Sequence, residues 1–135
     1  MLSKSLIKFD NLGDKRGSLI SLEQNNNIPF NIKRIYYIFD TKEGEARGFH
    51  AHKNLEQVAV CVKGSVTFIL DDGDTKEEFQ LSSPDVGLYI KGLKWREMYN
   101  FSDDCVVMVI ASELYDESDY IRDYRQFIEL VSNDT

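Results

Sequence analysis

The chain has 135 residues and a formal net charge of −7, with 16 Lys and Arg against 23 Asp and Glu. That length suits one domain able to bury a core unaided, and the acidic balance argues against nucleic acid or an anionic membrane surface, since both reward a basic face. A small anionic ligand stays open, provided a few Arg and Lys converge locally. There is no N-terminal signal pattern, and no apolar run approaches the roughly 20 residues of a membrane span. Cys61 and Cys105 lie in apolar runs and read as buried free thiols. The expectation is a single cytoplasmic domain over residues 1–135.

In chain order, the dominant period is two, as strands require. Strands are predicted over Leu19–Leu22 and Ile32–Phe39, with Asn25-Asn26-Asn27 as a loop between them. Arg47-Gly48-Phe49-His50-Ala51-His52-Lys53 reads as a strand carrying both histidines two residues apart, so the imidazoles look into one space. Val58–Val62 is wholly apolar, Lys63-Gly64 turns the chain, and Ser65–Leu70 follows. Asp71-Asp72-Gly73-Asp74 ahead of Glu77–Leu81 is a hairpin signal. Gly87–Ile90, Trp95–Phe101 and Cys105–Ala111 complete a series of short strands that predicts an all-β sandwich or barrel. From Tyr115 the pattern turns helical: Ile121, Tyr124, Phe127, Ile128 and Val131 share a face, with acidic residues in the opening turn.

Gly44, His50, His52, Glu56-Gln57 and Gly64 follow the spacing of the first motif of the cupin superfamily. The chain resembles that superfamily, which implies a jelly-roll β-barrel, here with a short C-terminal helix. Metal-binding cupins take two His and one Glu from this motif and a third His from a second. The Glu slot falls on Gln57 when counted back from Gly64 and on Glu56 when counted forward from His52, and those two neighbours face opposite ways. The second motif would run from Pro84-Asp85-Val86-Gly87 to Trp95-Arg96-Glu97-Met98, with Trp95 or Arg96 in place of its histidine. With 2 His in the whole chain, a three-His site cannot be built in one subunit. Two His completed by carboxylates is the metal alternative; acid–base work fits the pair better, because imidazole titrates near neutrality.

Asp14-Lys15-Arg16-Gly17-Ser18-Leu19, Arg34-Ile35-Tyr36-Tyr37-Ile38, the histidine strand, Trp95-Arg96-Glu97-Met98 and Tyr115 through Tyr124 together resemble the nucleotide-sugar 3,4-ketoisomerases of the cupin superfamily. The resemblance spans nearly the whole chain. It implies an isomerase converting dTDP-4-keto-6-deoxy-D-glucose to a dTDP-3-keto-6-deoxyhexose for deoxysugar and surface-glycan synthesis, with no metal or other cofactor. The chemistry needs a base, an acid and a stabiliser for the developing oxyanion. His50 is expected as base, His52 as a second proton-handling group or its orienter, and Tyr36 as the phenol that reprotonates or holds the enediolate.

Substrate contacts are expected from Arg16, Gly17, Arg34, Arg47, Lys53, Trp95 and Arg96, the cations serving the diphosphate. Arg47 shares its strand face with Phe49, so it reaches the histidine side only if the strand is bulged or begins later. Trp95 and Arg96 alternate, hence one of them faces the barrel. Tyr37 faces away from Tyr36 on a regular strand. Gly17 beside Arg16 is conformationally free, and this pair is expected to bias protonation at C4 toward the galacto product. The resemblance also implies a homodimer, for which an exchanged strand over Leu6-Ile7-Lys8-Phe9 would serve. Three alternatives stay in view: a 3,5-epimerase, which pairs its His with a buried Asp that the sequence does not reveal; a metal-dependent dioxygenase, which needs the missing His; and a non-catalytic sugar-binding cupin.

Overall fold

The computed structural model describes residues 5–133. Its strands are β1 (Leu6–Lys8), β2 (Arg34–Ile38), β3 (Arg47–His52), β4 (Gln57–Lys63), β5 (Val66–Asp71), β6 (Lys76–Leu81), β7 (Val86–Ile90), β8 (Trp95–Tyr99), β9 (Val106–Ala111) and β10 (Tyr120–Ile121), followed by helix α1 (Tyr124–Asn133). They form two antiparallel sheets, ordered β1-β7-β4-β9-β2 and β10-β3-β8-β5-β6. This is the cupin jelly roll, two sheets closed around an apolar interior.

Period-two alternation divides the side chains among three apolar clusters. Between the sheets lie Ala59 and Cys61 from β4, Phe68 and Leu70 from β5, Met98 from β8, and Val107 and Val109 from β9. The opposite face of the first sheet, with Val58, Val60 and Ile110, is covered by Phe9, Ile28 and Phe30. The opposite face of the second sheet, with Ala51, Trp95 and Ile121, is covered by Phe127 of α1. Cys61 and Cys105 are buried and free, with their Sγ atoms 3.8 Å apart.

Two expectations are corrected, at Leu19–Leu22 and at the start of the helix. Leu19–Leu22 is not a strand: Ile20 and Leu22 pack onto the outer face of the first sheet, where burial rather than a ladder satisfies them. Leu6–Lys8 pairs with Val86–Leu88 of its own chain in this structure. The helix starts later than Tyr115. Asp116 accepts the Ser118 amide and closes a 3₁₀ turn over Glu117–Asp119, Tyr120 and Ile121 then pair with His52 and Ala51, and Asp123 caps α1 by accepting the Arg125 amide at 2.8 Å. The acidic residues read as the opening turn of a helix belong to this earlier turn.

A bulge settles the direction of Arg47. The β3–β8 register runs Arg47↔Met98, Gly48↔Glu97 and then His50↔Arg96, so Phe49 is the extra residue. Gly48 and Phe49 have φ of 95° and 61°, and the inserted residue returns Arg47 to the side of His50. A Cβ on Gly48 would lie 2.9 Å from the Arg96 carbonyl oxygen. Gly48→Ala should therefore cost about 1–3 kcal/mol, read as a lowered urea midpoint with an unchanged m-value; wild-type stability in that variant would show that the bulge is unstrained.

Candidate active site

A pocket of about 460 Å³ opens between the sheets, lined by Arg34, Tyr36 and Ile38 of β2, Arg47, Gly48 and His50 of β3, Met98 of β8, and Tyr120 and Arg122. Alternation on β2 explains the choice: Arg34, Tyr36 and Ile38 turn inward, while Ile35 and Tyr37 are exposed on the outer face. Tyr37 packs against Phe39 there in a tilted pair, with ring centroids 5.8 Å apart.

The two histidines occupy successive layers. His50 lines the pocket, whereas His52 is 1% exposed behind it. Their rings meet edge to face at 4.9 Å, and Tyr120 packs on both at 5.0 and 4.3 Å. His52 Nδ1 lies 3.2 Å from Asp119 Oδ2, while Asp119 Oδ1 accepts the Asn54 amide at 2.9 Å. With an acidic partner at Nδ1, the neutral ring carries its proton there and leaves Nε2 as the basic nitrogen. Burial, reinforced by the nearby Arg96 guanidinium, pushes the His50 pKa down to about 4 and lowers His52 as well. Both imidazoles are therefore neutral at physiological pH.

Beneath the pocket, Arg96 is 3% exposed. Its Nη1 donates to Gln57 Oε1 at 2.5 Å and its Nη2 to the Lys94 carbonyl at 2.9 Å. Gln57 Nε2 in turn donates to Tyr36 Oη at 3.0 Å. Burial lowers the guanidinium to about 10, so it stays charged, and raises the Tyr36 phenol against the opposing influence of Gln57 and Arg96. The ambiguous motif position is thereby decided: Gln57 faces the interior, and Glu56 points outward to accept the Tyr89 hydroxyl. Arg96 holds the inward position of the second motif. Among the described residues no three His, Cys, Asp or Glu are grouped to hold a metal ion.

His50, Tyr36, Arg34 and Arg47 thus meet at one pocket, with His52 and Arg96 directly behind. Trp95 does not reach it. It is one residue out of phase with Arg96, so it lies on the outer face against Tyr124 and Phe127, donating to Glu97 at 2.9 Å. Arg16 and Gly17 sit on an exposed turn, with Arg16 paired to Asp14 at 2.6 Å and its side chain 86% exposed. Lys53 is exposed past the end of β3, directed at the Ser118 carbonyl. Asp119, Tyr120 and Arg122 were missed because their segment reads as helix; Arg122 stacks on Tyr120 at 4.3 Å and pairs with Glu117 at 2.8 Å. The pocket gathers Arg34, Arg47 and Arg122 in an acidic chain, which is the local convergence an anionic ligand requires.

Fold and site together define a small cupin barrel whose pocket places neutral proton-handling groups within a ring of guanidinium groups. The chain belongs to the FdtA family, described as WxcM-like, C-terminal, which matches residues 3–132. The TDP-4-oxo-6-deoxy-alpha-D-glucose-3,4-oxoisomerase of Aneurinibacillus thermoaerophilus is 56% identical over 131 residues, 97% of this chain and 94% of the relative. A 3,4-ketoisomerase from Helicobacter canadensis superposes with a TM-score of 0.92 at 49% identity, covering 94% of this chain and 96% of that one. The sugar 3,4-ketoisomerase QdtA of Thermoanaerobacterium thermosaccharolyticum, in complex with TDP, gives 0.93 at 46% identity over 96% of this chain and 94% of its own. A histidine-to-asparagine variant of that enzyme is known in complex with TDP-4-keto-6-deoxyglucose.

The buried imidazoles make stability depend on pH. The unfolded chain protonates His50 near its ordinary value of 6.5 and the folded chain near 4, so between those values the unfolded state binds more protons. Stability is full above 6.5 and should decline as pH falls toward 4. Denaturant midpoints across that window, with imidazole NMR titration, check the sign; a His50 resonance titrating near 6.5 would contradict it.

Proposed function

We propose that this protein is a nucleotide-sugar 3,4-ketoisomerase that converts dTDP-4-keto-6-deoxy-D-glucose to the dTDP-3-keto-6-deoxyhexose of galacto configuration, working on protons alone. The observation that carries this reading is the meeting of neutral His50 and protonated Tyr36, from opposite sheets, in a pocket lined by Arg34, Arg47 and Arg122. The relatives' activity supports the substrate class.

The guanidinium groups bind the diphosphate and place the sugar ring. His50 takes the C3 proton, and the electrons of that bond form the C3–C4 double bond of an enediolate whose charge rests on O4. Tyr36 donates to O4 and holds that charge. Loss of the O3 proton then makes the C3 carbonyl as C4 receives a proton. One hydrogen has moved from C3 to C4 and one from O3 to O4, with no redox partner needed. His52, fixed by Asp119, backs His50 and keeps its ring in place. Metal independence is supported by the inward Gln57 and by Arg96, whose fixed positive charge opposes a second cation.

Incubation with dTDP-4-keto-6-deoxyglucose in deuterated water, followed by NMR, should show the 3-keto product with deuterium at C4, exchange at C3 in the recovered substrate, and none at C5. A folded His50→Asn protein should lose about 10²-fold or more in kcat, and full turnover in that variant would remove His50 from the base role. The His52–Asp119 pair is one observation that suits a 3,5-epimerase, and it supplies the His-paired Asp that the sequence does not reveal. Exchange confined to C5 or accompanied by C5 inversion would select that reading. NMR coupling at C4 of the product tests the galacto assignment. Arg16 lies away from the pocket in the single chain, so its bias on C4 would require a neighbouring subunit.

The protein works as a cytoplasmic homodimer in this proposal. Edge strand β2 leaves Ile35 55% and Tyr37 64% exposed on its outer face, and Phe39 just past its end is 56% exposed, an apolar strip suited to a second copy. Buried free thiols fit a reducing compartment. Sedimentation at micromolar concentration should give twice the chain mass, and Tyr37→Lys should shift it toward the monomer; a wild-type monomer would contradict the dimer.

A further inference from the structure

Gln57 carries a hydrogen-bond polarity that the acid–base scheme does not by itself require. It is 3% exposed at the start of β4, facing the barrel interior with Ala59 and Cys61. Its orientation is fixed chemically: a guanidinium has donors and no acceptors, so Arg96 Nη1 must meet the amide oxygen. The amide nitrogen is then the atom directed at Tyr36, and at 3.0 Å it donates to the phenol oxygen. A phenol has one proton. With its oxygen already accepting from Gln57, that proton is free to point into the pocket that Tyr36 lines.

We propose that Gln57 is the positioning residue that makes Tyr36 a donor, by linking the buried Arg96 cation to the phenol through an amide of fixed sense. This rests on the ketoisomerase reading, in which Tyr36 donates to O4 of the enediolate. The choice of Gln over Glu at this position is the essential feature. A carboxylate would still accept from Arg96, and more strongly, but it would also accept the Tyr36 proton and withdraw it from the substrate. The motif position that supplies a carboxylate to metal-binding cupins here needs a residue with one acceptor and one donor end.

Gln57→Glu is nearly isosteric and replaces the Arg96 hydrogen bond with an ion pair, so a purely structural role for residue 57 would survive it. The expected result is a kcat lower by about 10²-fold, with KM within a few-fold of wild type. Tyr36→Phe should show a similar loss, and the double variant should be no worse than either single one, because both changes remove the same proton. Wild-type kcat in Gln57→Glu, or losses that multiply in the double variant, would overturn the proposal.

A readout independent of turnover separates this from the activity assignment. In protein carrying ¹³Cζ-tyrosine, the Tyr36 resonance should titrate at higher pH in Gln57→Glu than in wild type, since the carboxylate both binds the phenol proton and adds negative charge beside it. An unchanged or lowered titration would overturn the hydrogen-bond sense assigned here, even if wild type isomerises the sugar. A raised titration in a protein that does not turn over the sugar would uphold the sense while removing the ketoisomerase reading.

Discussion

A positive charge buried at the base of the barrel organises the pocket. Arg96 is almost wholly removed from water, and the desolvation of a guanidinium is tolerated only where acceptors face it. Gln57 Oε1 and the Lys94 carbonyl supply two, while its buried Nε finds no partner among the described residues, an omission that costs about 1–3 kcal/mol in a typical case. The charge acts on its surroundings in consistent ways. Together with burial, the larger cause, it lowers the proton affinity of both imidazoles and keeps them unprotonated, and it opposes the burial that raises the Tyr36 phenol. Unprotonated imidazoles and a protonated phenol therefore stand together in one buried environment, with the guanidinium between them.

The bulge at Gly48-Phe49 brings a second guanidinium, that of Arg47, to the pocket. Without the inserted residue, Arg47 would lie on the outer face of β3, and the pocket would lose a cation from its rim. With it, Arg47 and His50 share a side while Ala51 still packs outward under α1. The left-handed φ of Phe49, uncommon for a bulky residue, is accommodated by exposure and by its edge-to-face contact with Tyr99 at 5.9 Å.

The barrel was legible because its strands are short, alternating and punctuated by Gly64 and Asp72-Gly73, signals that are local in sequence. His50, His52, Tyr36, Arg34, Arg47 and Arg96 could be singled out because two histidines on one strand face and nearby cations carry their own chemistry. Trp95 was misplaced because parity along β8 is unambiguous once Arg96 is known to face inward, yet nothing local says which of the two does. Asp119, Tyr120 and Arg122 were lost for a different reason. Ile121, Tyr124 and Phe127 fall at helical spacing, but the first belongs to a two-residue strand whose hydrogen bonds lie with β3, some 70 residues earlier in the chain. Gln57 is visible in the sequence as a motif position, but its use depends on two partners from other strands, Tyr36 and Arg96. Long-range pairing of this kind has no periodic trace.

The same alternation ties catalytic geometry to stability at the C-terminal end. On β3 and β10, His50, His52 and Tyr120 face the interior while Ala51 and Ile121 face outward; on β8, Arg96 and Met98 face inward while Trp95 faces outward. The outward set forms the small cluster closed by Phe127, whose removal from such a site costs about 3–5 kcal/mol as a rule. A shift of β10 by one residue against β3 would therefore expose Ile121, turn Tyr120 out of the pocket and break the Asp119–His52 pairing in one movement. The helix does not line the pocket, yet its burial holds the register on which the imidazole pair depends. The apolar face of α1 is thus part of the site's machinery by mechanical necessity, and the period-two pattern first read as a sign of fold class also fixes the direction of every proton-handling residue in the pocket.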